Sequence, residues 1–253
     1  MTTVTATHVG TATVLLRIGD LTVLTDPALD PGPADYPAAR PLRRLTGPAL
    51  TADDLPPIHL VLLSHDQHHD NLDASGRRVL AQAATVLTTP EAAGRLGGSA
   101  VGLAPWESRR ITVGTTTVTV TATPARHGPA GTEQATGAVT GFVIEHDGGT
   151  LYLSGDTVRH EELAEIGERF TIDTAFLHLG DAHFPSTGDR RFSLSAAEGA
   201  ELARTLRART VVPVHYESWE HLAEDPARIA EAFAAPDLAG RLRRLTPGVP
   251  TRL

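Results

Sequence analysis

The chain has 253 residues, 41% of them hydrophobic and only 4% aromatic, enough for a large core built from Val, Leu, Ile and Ala. It has no Cys and its basic side chains are all Arg, which excludes disulfides, thiolate metal ligands, a cysteine nucleophile, Schiff-base chemistry and a P-loop lysine. A formal charge of -8 opposes nucleic-acid binding, the start MTTVTATHVG is not a leader peptide, and no apolar run nears the ~18 residues of a membrane span, so a cytoplasmic protein is expected.

Residues 4–26 read as strands, with Gly19-Asp20 as the turn of a hairpin. The second strand ends in Thr25-Asp26-Pro27, where Asp26 is either a turn residue or an outer group that orients a metal ligand. Residues 28–57 carry Pro31, Pro33, Pro37, Pro41, Pro48, Pro56 and Pro57 and show no periodicity. A loop of this length is either a lid over a site or a tolerated surface excursion. Its Arg40–Arg44 group suits an anionic substrate or a solvated face.

Leu60 to Leu63 is an apolar run suited to a strand buried on both faces. Directly after it, His65, Asp66, His68, His69, Asp70 and Asp73 crowd into nine residues. Imidazoles and carboxylates held on so stiff a base can converge on a cation such as zinc, with bonds of about 2.0–2.2 Å. The competing reading is a polar loop with solvated histidines.

Asp73 is suited to cap a helix over 74–83; a strand at 85–88 and a helix at 90–96 follow, the latter between Pro90 and Gly97-Gly98. Ile111 to Ala122 is a hairpin about Gly114, and its exit delivers Arg126 and His127. Arg126 there suits either a developing negative charge or plain solvent. Asp147-Gly148-Gly149 marks another hairpin, whose second strand ends in Ser154-Gly155-Asp156-Thr157. A strand over 173–178 leads to His178 and His183. A capping box, Ser195 to Glu198, opens a helix to about Arg207. Thr210 to Val214 is a strand with His215 at its exit, and Asp225-Pro226 opens a last helix over 226–234.

This order of elements resembles the metallo-β-lactamase fold superfamily, above all its ascorbate-6-phosphate-lactonase-like branch, itself related to N-acyl-phosphatidylethanolamine phospholipase D. The resemblance rests on Gly10–Thr13 with Thr25-Asp26-Pro27, the Ser64–Asp73 cluster, Pro124–His127, Ser154–Thr157 and Pro213–Tyr216, and it covers nearly the whole chain. It implies an α+β fold, a four-layer αββα sandwich formed by residues 1–253 as one domain, with the Pro-rich loop as an excursion.

The family's first motif, His-x-His-x-Asp-His, is altered here. Counting back from Leu72-Asp73 puts Asp70 on the motif's Asp, Asn71 on its last histidine, His68 on its second and Asp66 on its first; counting forward from Ser64 puts His65 on the first. The backward count is favoured, with His65 and Asp66 both left as candidate ligands. The resemblance then implies one metal position held by His68, His127 and either His65 or Asp66. A second is held by Asp70 and His215, with Asp156 between the two. Asn71 removes a nitrogen donor from the second, so one tight Zn2+ and a weak or absent second ion are expected, with Mn2+ as another candidate.

The implied activity is that of a hydrolase that uses a metal-activated water on an ester, lactone or phosphodiester. Asp70 would orient or deprotonate that water and Arg126 would stabilise the oxyanion or phosphate. His178, His183 and Trp219 are secondary candidates for the pocket. The substrate would be a small molecule, an anionic one included, and a homo-oligomer is compatible with the chain. The alternative is a degenerate member that binds metal or a small ligand without hydrolysis, as Gln67 and Asn71 among the expected ligands suggest.

Overall fold

The computed structural model describes residues 2–37 and 41–253. The N-terminal half supplies strands β1 (Val4–Gly10), β2 (Thr13–Ile18), β3 (Leu21–Thr25), β4 (Ala34–Tyr36), β5 (Leu42–Arg44) and β6 (Leu60–Leu62), then helix α1 (Ala74–Leu80), β7 (Thr85–Thr88), α2 (Pro90–Leu96) and β8 (Ala100–Gly102). The rest supplies β9 (Ser108–Val113), β10 (Thr116–Thr123), α3 (Glu133–Thr136), β11 (Gly141–His146), β12 (Gly149–Leu153), α4 (Leu163–Arg169), β13 (Thr174–His178), α5 (Ala196–Leu206), β14 (Thr210–Val214), α6 (Pro226–Ala232) and β15 (Thr251–Arg252).

Two sheets form, in the orders β15-β1-β2-β3-β6-β7-β8 and β14-β13-β12-β11-β10-β9. Their inner faces pack against each other through Leu16, Val23, Leu62, Val120, Phe142, Phe176 and Val212. The outer face of the first sheet meets α1 through Leu24, Val61, Leu63 and Val79. That of the second meets α4, α5 and α6 through Tyr152, Ile166, Leu202 and Ile229. The result is the expected four-layer αββα sandwich. Strand β6 shows why its sequence is apolar throughout: Leu60 and Leu62 face the inter-sheet core while Val61 faces the helix layer, as does Leu63 just beyond it. Burying each such side chain is worth about 1.5–3 kcal/mol.

The helix signals map onto specific bonds. Asp73 accepts from the Gly76 N–H at 2.8 Å and caps α1. Ser195 and Glu198 form the capping box of α5, and Asp225 caps α6. Helix α4 was not anticipated; the residue before it, Glu162, makes no capping bond. The Pro-rich stretch also departs from expectation, because it contains the two-stranded β4–β5 hairpin. Arg44 anchors it: the side chain is fully buried and its Nη1 lies 3.1 Å from Asp73 Oδ2. Arg43 is exposed beside Asp35, and Arg40 lies outside the described residues. Among the described residues no helix is long and apolar enough to cross a membrane.

Candidate metal centre

Strands β10 and β12 are both antiparallel to β11, and β12, β13 and β14 are mutually parallel, so four strands of the second sheet end at one edge. The exit of β6 meets that edge from the other sheet, where the Thr140 N–H donates to the Ser64 carbonyl at 3.1 Å. Chain direction changes sharply at these exits. Asp26 and His215 adopt φ of 33° and 55°, a left-handed conformation costing on the order of 1–3 kcal/mol for such residues. Gly155, at φ 61°, precedes Asp156; a Cβ there would stand 2.5 Å from the Thr140 carbonyl oxygen.

Three imidazoles converge at the first position. His68 Nδ1 lies 2.9 Å from His65 Nε2 and 3.0 Å from His127 Nε2. Their tautomers follow from the outer bonds. Ser64 gives its hydroxyl proton to Asp26 Oδ1, so it accepts from His65 Nδ1 at 2.9 Å. His127 Nδ1 donates to the Phe192 carbonyl at 2.6 Å. Both inward Nε2 atoms are therefore lone pairs, and His68 Nδ1 has at most one proton to share between them. Burial, reinforced by the neighbouring imidazoles, holds His65 well below its ordinary pKa and His68 at about 4. The inward nitrogens of the trio turn on one point, and burial keeps His65 and His68 unprotonated near pH 7.

The second group centres on two carboxylates. Asp156 Oδ1 accepts from His178 Nδ1 at 2.9 Å and lies 3.2 Å from His215 Nδ1, while its Oδ2 lies 3.8 Å from His127 Nε2. Its two oxygens thus face the two groups. Asp70 Oδ2 accepts from His215 Nε2 at 3.2 Å and from His221 Nε2 at 3.0 Å. Burial opposes the charge of Asp156, but His215, His178 and His127 outweigh it and hold the carboxyl below its ordinary range. Asp70 is held low in the same way by His215 and His221 against burial. Burial also opposes the charge of His215, yet Asp156 and Asp70 raise it to about 9. Behind these groups, burial pushes Asp26 up to about 8 although Ser64 donates to it twice.

The structure brings together His65, His68, His127, Asp70, Asp156 and His215, and it separates two other candidates from them. Asp66 is corrected: Arg95 Nε donates to its Oδ2 at 3.0 Å, which takes the carboxylate away from the trio. The motif is therefore read forward from Ser64, with one extra residue between His65 and His68. Arg126 gives its backbone N–H to Thr157 Oγ1, and no Arg is among the described residues lining the pocket. His178 joins the centre, whereas His183 bonds to the Gly188 carbonyl and Trp219 packs beneath, donating to Thr11 Oγ1. His221 was missed. It stands in the loop after His215 with no strand pattern to mark it, and the only pointer was the donor lost at Asn71.

The donor set suits a divalent cation of borderline softness: His65, His68 and His127 at one position, Asp156 with His178 and His215 at the other. Buried polar atoms around it lack partners among the described residues: Asp70 Oδ1, His215 Nδ1 and both amide atoms of Asn71. Each such orphan costs roughly 1–3 kcal/mol, and a cation would offset that cost for the Asp70 oxygen and for an imidazole lone pair. Outside the centre lies a cavity of about 520 Å³, lined on its apolar side by Leu42, Ala135, Ala182, Phe184 and Phe192.

A family profile described as beta-lactamase superfamily domain matches residues 22–216. A UPF0173 metal-dependent hydrolase of Bacillus velezensis is 31% identical over 202 residues, 75% of this chain and 82% of the relative. A UPF0173 metal-dependent hydrolase of Pelotomaculum thermopropionicum is 33% identical over 136 residues; the match covers 52% of this chain and only 55% of that relative. Among solved structures, an isothiocyanate hydrolase from Delia radicum gut bacteria superposes with a TM-score of 0.82 at 23% identity, over 98% of both chains.

Proposed function

The chain belongs to the beta-lactamase superfamily domain family, and on that premise we propose that it is a zinc-dependent hydrolase of small uncharged esters or lactones. The lining of the cavity carries this reading. Its described part holds no Arg, its carboxylates are those of Asp70 and Asp156, and its outer wall is aliphatic and aromatic. A phosphodiester would approach two carboxylates with no Arg to meet it. An uncharged acyl compound loses nothing there and gains from Phe184, Phe192 and Leu42.

His65, His68 and His127 would hold one cation, and Asp156 would stand between it and a second held by Asp70 and His215. When bound, such a cation makes water a usable nucleophile near neutral pH and draws electron density from a carbonyl. The remaining work falls to the chain itself. Ser64 and the Phe192 carbonyl fix the outer nitrogens of His65 and His127, so their Nε2 lone pairs stay turned inward. Asp70 lines the cavity, and its buried Oδ1 has no hydrogen-bond partner among the described residues. A carboxylate held so far below its ordinary range orients that water and is a poor sink for its proton. His69 stacks on Tyr36 of the β4–β5 hairpin at 4.7 Å, and with Leu42 this closes one side of the cavity.

A substrate panel tests the proposal: p-nitrophenyl esters, five- and six-membered lactones, an alkyl isothiocyanate as a further uncharged electrophile, and bis-p-nitrophenyl phosphate. Turnover of esters or lactones with none of the phosphodiester is expected. Hydrolysis of the phosphodiester alone would overturn the substrate assignment. Tight ligand binding with no turnover of any compound would favour the degenerate binder.

A further inference from the structure

We propose that His221 supplies the nitrogen donor that Asn71 fails to supply, so that the second metal position is complete. The inference rests on the reading of this pocket as a metal centre and replaces the expectation, drawn from Asn71 alone, that the second ion is weak or absent.

The argument starts from distances. His215 Nε2 and His221 Nε2 approach the same oxygen, Asp70 Oδ2, at 3.2 and 3.0 Å. Ligand atoms on a tetrahedral zinc with bonds of 2.0–2.1 Å stand about 3.3 Å apart. Each imidazole is therefore spaced from the carboxylate oxygen like a neighbour on a single ion. Asp156 Oδ1 stands at the other ring nitrogen, 3.2 Å from His215 Nδ1. Asp70 also brings a buried carboxylate to this position, where the first has three imidazoles.

His221 is held for this task. Its ring stacks on Phe184 at 5.1 Å with planes 9° apart, and its carbonyl accepts from the His183 N–H at 2.9 Å. The side chain is 8% exposed. Nδ1 is buried without a partner among the described residues, so no competing bond there fixes the ring the other way, and it carries the ring proton when Nε2 ligates. Asn71 by contrast is fully buried, with neither amide atom bonded among the described residues. An amide is a poor zinc donor, whereas an imidazole restores nitrogen ligation from a different segment of the chain.

The competing role is that of a positioning residue that merely donates to Asp70, and metal stoichiometry separates the two. The purified chain is loaded with Zn2+, dialysed against metal-free buffer and assayed for zinc per chain; Co2+ loading with visible absorption reports coordination independently. Wild type is expected to retain two ions, His221→Ala one, and the double variant His221→Ala with Asn71→His two again. Far-UV circular dichroism confirms that each variant is folded. Two ions in His221→Ala, or one in wild type, would overturn the inference while leaving a mononuclear hydrolase intact. No ion in wild type would remove the metal reading itself, and His127→Ala, losing the first position, marks that case separately.

Discussion

His65 Nε2 and His68 Nδ1 face each other at 2.9 Å in a site where burial keeps both rings from taking up a proton. Asp66, the neighbour of His65 in sequence, leaves the group, drawn off by Arg95. The two substitutions therefore diverge. His65→Ala should lose the tightly held zinc. Asp66→Ala should keep it and lower stability by about 1 kcal/mol, the range of a pair with one exposed partner. Zinc content after dialysis, with a urea melt of each variant, checks both.

Ser64 joins Asp26 to His65 through its backbone N–H and its hydroxyl. Loss of the hydroxyl frees the His65 ring to take the other tautomer, which turns an N–H toward the cation. Ser64→Ala is expected to weaken zinc affinity about 10–100-fold, as for other outer groups behind a metal-bound histidine. Competition with a chromophoric chelator measures this directly.

Arg44 and Asp73 are both fully buried, and they tie the β4–β5 hairpin to the helix that follows the metal-binding loop. Removing one partner strands the other charge in the interior. Arg44→Ala should destabilise by about 3–5 kcal/mol in urea unfolding, whereas Arg43→Ala, on the exposed side of the same strand, should stay within about 0.5 kcal/mol.

His215 is raised from 6.5 to about 9 by Asp156 and Asp70 working against burial, so the metal-free chain carries a proton there at neutral pH. That proton stabilises the metal-free fold. Its contribution is complete below pH 6.5 and is lost as pH rises through about 9. A ligating imidazole must give the proton up. Zinc titrations in buffers of different ionisation enthalpy should therefore show proton release at pH 7 that fades above pH 9.

What could be read from the sequence, and what could not, follows from which forces fix each residue. His215 was legible as the first polar residue after a buried apolar strand, while His127 and Asp156 follow the ends of β10 and β12 within a few residues. The choice between His65 and Asp66 was not, because it turns on Arg95, a side chain on α2 that is distant in sequence. The β4–β5 hairpin left no pattern: its strands are three residues each, and its anchor is one buried Arg. His221 sits in an irregular loop, where neither periodicity nor a strand exit singles it out.

The most direct test follows hydrolysis of a p-nitrophenyl ester by the dialysed protein before chelator, after it, and after Zn2+ is returned, with zinc per chain measured at each stage. Turnover that falls to background as zinc leaves and recovers as it returns is the predicted result. Turnover that persists in chain stripped of zinc, or that survives His127→Ala, would contradict the account.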